Sequence, residues 1–155
     1  MDILEKLIEI DGLTYRYVSE IEACYSSLDQ MAPDHYRQAA AYLVWHWRMH
    51  DIRRIGIGGG QGAGKSTLAK LLEEAGRFYD ESVVALSIDD FYYPKAERKL
   101  LGKEIHSLLE TRGPPGTHDV EALIASVKKL LIIGDVSVPV FDKGLDDRIG
   151  ERLIR

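Results

Sequence analysis

The sequence predicts an α/β fold: a parallel sheet flanked by helices, preceded by a helical segment. Three observations carry this. The short β-branched run Arg54-Ile55-Gly56-Ile57-Gly58 reads as a buried strand, and the run 82–88 (Ser-Val-Val-Ala-Leu-Ser-Ile) reads as a second. Between them Leu68, Leu71, Leu72 and Ala75 recur with helical spacing, and Gly76 follows where a helix C-cap would sit. Upstream, residues 1–50 carry only helical periodicity.

In chain order, Ile3, Leu4, Leu7 and Ile8 make a short first stripe, which Gly12 can end. Val18, Ile21, Tyr25 and Leu28 continue it. Pro33 and Asp34 suit a helix first turn. Tyr36, Ala39, Ala40, Leu43, Val44 and Trp47 then form the cleanest amphipathic stripe in the chain, with Trp45, His46 and His50 off it. The two histidines, four apart, lack an evident third metal ligand. Residues 95–110 read as a charged helix, and 111–119 as a loop. Asp119 can cap the helix carried by Val120, Leu123, Ile124, Val127, Leu130 and Leu131. The run 130–135 also resembles an apolar strand ending in an acid. The unbroken stripe and Gly134 favour the last helical turn instead. Residues 136–141 form a short extended segment, with Pro139 favouring an edge.

Composition bounds the function. A chain of 155 residues can bury a real core. Its net charge of −5 gives no reason to expect nucleic acid or an anionic membrane as partner. Cys24 is the lone cysteine, which excludes an intrachain disulfide and a cysteine metal cluster. The acidic N-terminus does not read as a signal peptide, and no apolar run is long enough to span a membrane, so a reducing, cytoplasmic setting is expected.

The chemistry centres on Gly59-Gly60-Gln61-Gly62-Ala63-Gly64-Lys65-Ser66, which fits G-x-x-x-x-G-K-[ST] between a strand and a helix. Glycines let the backbone curl and turn several N–H groups onto an anion, and the helix N-terminus adds positive potential. Lys65 can reach the β- and γ-phosphates, and the Ser66 hydroxyl can ligate Mg²⁺, with Thr67 beside it. After the second strand come Asp89-Asp90-Phe91-Tyr92-Tyr93-Pro94. An aspartate there can take a proton from an acceptor hydroxyl or hold Mg²⁺; alternatively the pair merely builds a turn.

The phosphate loop, 87–92 (Ser-Ile-Asp-Asp-Phe-Tyr), 111–119 (Thr-Arg-Gly-Pro-Pro-Gly-Thr-His-Asp) and 139–143 (Pro-Val-Phe-Asp-Lys) follow in an order that resembles the P-loop type of D-glycerate 3-kinase and its kinase-like relatives. More broadly the order is similar to uridine kinase, phosphoribulokinase and pantothenate kinase. The matching blocks span about 55–148. The resemblance implies a P-loop NTPase fold, ATP and Mg²⁺ as cofactors, and a small hydroxylated acceptor such as D-glycerate. It makes Lys65 and Asp89 the catalytic pair, with Ser66 and Asp89 near the metal. Asp90, Tyr92, Arg112, His118, Asp119, Asp142, Lys143 and Arg148 become acceptor-side candidates; on spacing alone, His118, Asp119, Asp142 and Lys143 can instead cap or form a surface ion pair. Such kinases continue into a strand ending in Glu-Gly, an Arg-bearing lid and adenine contacts. The chain is therefore expected to be the N-terminal part of a kinase: a helical segment at 1–52 packing on a kinase part at 53–155, one structural domain in all. Self-association or a complementary C-terminal chain is expected with it. The rival readings are a nucleotide-binding module without turnover and another P-loop NTPase. The absence of asparagine removes an N-K-x-D guanine motif.

Overall fold

The computed structural model describes residues 5, 6, 9, 12, 15–132 and 134–154. The stripe expected at Ile3, Leu4, Leu7 and Ile8 lies outside them. The chain divides into two compact units, Met1–Ala85 and Leu86–Arg155.

The first unit is built on three helices: α1 (Tyr15–Ser27), α2 (Asp34–Met49) and α3 (Lys65–Phe78). Pro33 stands at the N-cap of α2 and Asp34 in its first turn, where an acid meets the positive end of the helix dipole. Ile21, Cys24 and Leu28 of α1 close a core with Ala40, Ala41, Val44 and Trp45 of α2 and Leu71, Leu72 and Ala75 of α3. Trp45, off the expected stripe, packs into this core and is buried, while Trp47 is only partly so. The helix is sandwiched, so it buries two adjacent faces instead of one. Gly76 is a correction. It lies within α3, and a Cβ there would stand 2.7 Å from Val83 Cγ2 and 2.9 Å from the Glu81 carbonyl. Its use is close packing of the returning chain, and the helix ends later, at Tyr79, before Asp80 takes φ 56°.

The expected parallel sheet is not seen among the described residues. Residues 52–60 and 81–87 are neither helical nor laddered, and Ile55 and Ile57 are 46% and 41% exposed. A parallel strand exists only through a neighbouring strand that takes its N–H and C=O groups, and no such ladder is seen for either segment among the described residues.

The second unit holds a 3₁₀ turn (Ile88–Phe91), α4 (Lys95–Glu104), a second 3₁₀ turn (Ser107–Glu110), α5 (Val120–Ile132) and an antiparallel hairpin, β1 (Val136–Asp142) with β2 (Asp147–Ile154). Of the stretch resembling an apolar strand before an acid, residues 130–132 are helical, and Gly134 lies beyond at φ 85°. Pro139 sits in β1, whose two-stranded sheet leaves an open edge for a residue without an N–H. The stripe on α5 is not core: Ser126 is its buried residue, its hydroxyl donating to the Ala122 carbonyl, while Val120, Ile124 and Leu131 are exposed. Phe91, Val138 and Phe141 are buried instead. The fold is α/β, with five α-helices and one two-stranded sheet among the described residues. No described helix is long and apolar enough to cross a membrane.

Candidate functional site

The phosphate loop lies in the first unit. Gly62 (φ 76°) and Gly64 (φ 77°) occupy left-handed backbone, which glycine adopts without a Cβ penalty. Gly64 is the N-cap of α3, so the helix begins at Lys65, with the Ser66 and Thr67 side chains exposed on its first turn. A Cβ built at Gly60 or Gly62 would meet nothing within 4 Å, so the loop backbone is open at these positions. The Lys65 Nζ folds over it, donating to the Gly59 and Gly60 carbonyls at 2.8 Å each. No acidic residue stands in the first turn of α3 to compete for an anion. From α2, the Tyr36 hydroxyl donates to the Ala63 carbonyl at 2.8 Å.

The acceptor-side candidates lie in the second unit, and nearly all of them interlock. The segment after Asp90 pairs with the 111–119 loop. Tyr92 and His118 form an antiparallel bridge, Tyr93 N–H donates to the Thr117 carbonyl (2.9 Å), and Asp119 N–H donates to the Phe91 carbonyl (2.8 Å). The 3₁₀ turn that carries Asp89 starts on Ser87, whose hydroxyl oxygen accepts from Asp89 N–H. Lys143, from the hairpin turn, pairs with Asp89 at 2.6 Å. Arg112 donates to the Lys143 carbonyl (2.8 Å) and to Asp146 (3.1 Å). Arg148 donates to the Tyr92 carbonyl (2.7 Å) and lies 3.6 Å from Asp119. Asp90 accepts from Phe141 N–H at 3.4 Å.

Two candidates have evident structural work. Asp119 caps α5, accepting from Ala122 N–H at 2.9 Å. Asp142 folds the hairpin turn, accepting from Gly144 and Leu145 N–H. The His118 ring stacks on Tyr92 at 3.9 Å, and its Nε2 is buried without a hydrogen-bond partner among the described residues. Burial lowers its pKa, with the Asp89 charge acting in the opposite sense. Burial likewise raises the Tyr92 phenol, and Asp89 adds to this. Both rings therefore stay neutral at neutral pH, as an aromatic wall.

Arg98 is the residue that sequence reasoning passed over. It is 0% exposed in a helix that reads as charged surface. Its guanidinium donates to the carbonyls of Tyr93, Glu110 and Asp146 and pairs with the Asp146 carboxylate at 3.1 Å. It thereby ties the segment after Asp90, the end of the second 3₁₀ turn and the hairpin turn into one body. Nothing in the local pattern distinguishes it from Lys95 or Lys99.

No protein-family model matches the chain. Among curated proteins it is similar to the uncharacterized kinase mug58 of Schizosaccharomyces pombe, 41% identical over 103 residues, covering 63% of this chain and 37% of that protein. It is 30% identical to the pantothenate kinase of Bacillus subtilis, over 93% of this chain and 47% of the relative. It is also 30% identical to the uridine kinase of Clostridium tetani, over 63% and 44%. The chain thus spans less than half the length of each of these relatives. Among solved structures the YGR205w protein aligns with a TM-score of 0.57 and 25% identity, over 75% of this chain and 49% of that one. The curated relatives are kinases, pantothenate and uridine kinases among them, and the α/β fold agrees with the structural neighbour.

The residues present fit a polyphosphate. The open glycine backbone, the helix N-terminus and Lys65 are the donor set such a group needs. Among the described residues no group of three or more His, Cys, Asp or Glu side chains could hold a metal; in the loop itself the Ser66 hydroxyl is an oxygen that could join phosphate oxygens around a cation.

Proposed function

We propose that this chain carries the donor and acceptor elements of an ATP-dependent small-molecule kinase, a phosphotransferase acting on an alcohol group. The observation that carries the reading is the phosphate loop: an open glycine backbone leading into α3, with Lys65 folded over it, in a chain whose relatives are kinases. Mg·ATP, when bound, supplies the γ-phosphoryl group and the charge neutralisation its transfer requires. Backbone N–H groups of residues 59–66 hold the phosphates and Lys65 neutralises them. The Ser66 hydroxyl is the loop's metal ligand, with Asp89 as the second candidate. Asp89 orients the acceptor hydroxyl and takes its proton. Lys143, at 2.6 Å from Asp89, aims that carboxylate. Arg112 and Arg148 bind an anionic group of the acceptor, with His118 and Tyr92 as its apolar wall. D-Glycerate is the acceptor that the four matching blocks favour.

The same reading takes 54–58 and 82–88 as strands of a parallel sheet, supported by their β-branched composition and the helix between them. Functionally it assigns 1–52 to a helical layer and 53–155 to the kinase part. The exposed Ile55 and Ile57 support association with a second copy or a complementing chain that adds a strand. A monodisperse monomer at high concentration argues against that. The free, buried Cys24 suits a reducing cytoplasmic setting.

The test supplies Mg·ATP with D-glycerate and follows phosphoglycerate, in wild type and Asp89→Ala. Product that disappears in the variant supports the assignment, and product that persists unchanged removes Asp89 from the chemistry. A second reading, nucleotide binding without turnover, is favoured by the containment of loop, lysine and Tyr36 contact in one compact unit. It predicts saturable ATP binding with no acceptor phosphorylated.

A further inference from the structure

Tyr36 enters the sequence as the first apolar position of a helical stripe, and its hydroxyl is the part such a stripe leaves unexplained. In the structure that hydroxyl donates to the Ala63 carbonyl at 2.8 Å. The ring edge fills the space beside Gly64: a Cβ there would stand 2.3 Å from the Tyr36 Oη, 2.7 Å from Cε2 and 2.8 Å from Cζ. Gly64 is therefore required twice, once by its left-handed backbone and once by the tyrosine against it.

The contact has a directional consequence. The Ala63 carbonyl and the Gly64 N–H belong to one peptide plane and point in opposite directions across it. Holding the carbonyl on the Tyr36 side aims the Gly64 N–H away from α2. Gly64 is the residue immediately before the helix, where a phosphate loop delivers its donors. Tyr36 can hold that plane because it is itself held. It sits in the first turn of α2, its N–H donates to the Pro33 carbonyl at 3.0 Å, and its ring packs against the three-helix core. The neighbouring His35 ring lies 4.5 Å away.

We propose that Tyr36 is a positioning residue for the phosphate loop: through the Ala63–Gly64 peptide, the first turn of α2 fixes the direction of a phosphate-binding amide. This rests on the reading of residues 59–66 as a phosphate site. It gives the N-terminal helices a role in ligand affinity beyond support of the fold.

The experiment uses the full chain with Tyr36→Phe, which keeps the ring and removes the hydroxyl. Two readouts are taken: amide hydrogen exchange across 62–68 without nucleotide, and Kd for Mg·ATP. One lost hydrogen bond corresponds to about a fivefold effect. Exchange at Ala63 and Leu68, whose N–H groups donate to the Gly60 and Gly64 carbonyls, rises about fivefold, while amides in the second half of α2 keep the wild-type rate. Mg·ATP binding weakens by a similar factor. Unchanged loop exchange overturns the proposal, as does an equal rise in exchange throughout the unit, which marks a structural role only. Unchanged Mg·ATP affinity beside a loosened loop overturns it too. If wild type binds no Mg·ATP, the phosphate reading fails and, with it, the assigned role in binding; the exchange data then report separately whether Tyr36 braces the loop.

Discussion

The phosphate loop and the cluster around Arg98 are both polar devices, yet they are built in opposite ways. The loop is made from backbone. Its donors are N–H groups, its shape comes from left-handed glycines, and its elements lie within a few residues of one another. The Arg98 cluster is made from side chains that reach across the sequence: to Tyr93, five residues away, to Glu110, 12 away, and to Asp146, 48 away. A local backbone device tolerates change around it and fails through its glycines and lysine. A long-range side-chain device fails wherever one partner is lost, because a buried charge or carbonyl is left without its bond.

The largest effect expected from this contrast is at Arg98. Arg98→Met keeps the apolar stem and removes the guanidinium, leaving three carbonyls and the Asp146 carboxylate without it. A loss of about 3 kcal/mol is expected in urea unfolding. Mg·ATP binding by the first unit should persist at temperatures where the variant is still folded. A loss under 1 kcal/mol would show that the cluster is not what holds the second unit together.

A smaller effect probes the loop's own helix. Gly76→Ala normally gains helix propensity, but its Cβ would meet Val83 and the Glu81 carbonyl within 3 Å. Overpacking should win, with a net loss of about 1–2 kcal/mol. A stabilised variant would mean that the chain after α3 shifts aside freely.

The smallest effect is a pH dependence in the core of the first unit. Burial pushes the Cys24 thiol up to about 11, and burial also raises Tyr79, beside it. For an acid raised in the folded state, stability is intact below the unfolded pKa and falls as pH rises toward the folded one. From the thiol's ordinary value of 9.0, the loss should begin near pH 9. It should reach about 1 kcal/mol by pH 10. Cys24→Ala should flatten part of that slope, with Tyr79 keeping the remainder, and an unchanged slope would clear the thiol of any part in it.

The same contrast explains what the sequence made legible. The loop, its helix and the cap at Asp119 are local, so spacing and residue type were enough to find them. The helical reading of 130–132 came from an unbroken period and a glycine beyond it. Arg98, the role of Tyr36 and strand β2 depend on partners far along the chain, and no period of 3.6 or 2 encodes a distant carbonyl. Trp45 lies off the stripe and is still buried because a sandwiched helix has two packed faces. Gly76 was misread as a cap because a glycine near a helix end looks the same whether it ends the helix or admits a neighbour.

The central claim is that residues 59–66 form a working phosphate site, and a thermal melt of wild type and Lys65→Ala with and without Mg·ATP tests it most directly. At about a hundred times its dissociation constant, a ligand stabilises the folded state by about 2.7 kcal/mol, several degrees for a chain of this size. The account predicts that shift in wild type and its loss in Lys65→Ala, with similar melting of the two proteins when nucleotide is left out. Clean melts of both with no shift in either would contradict it.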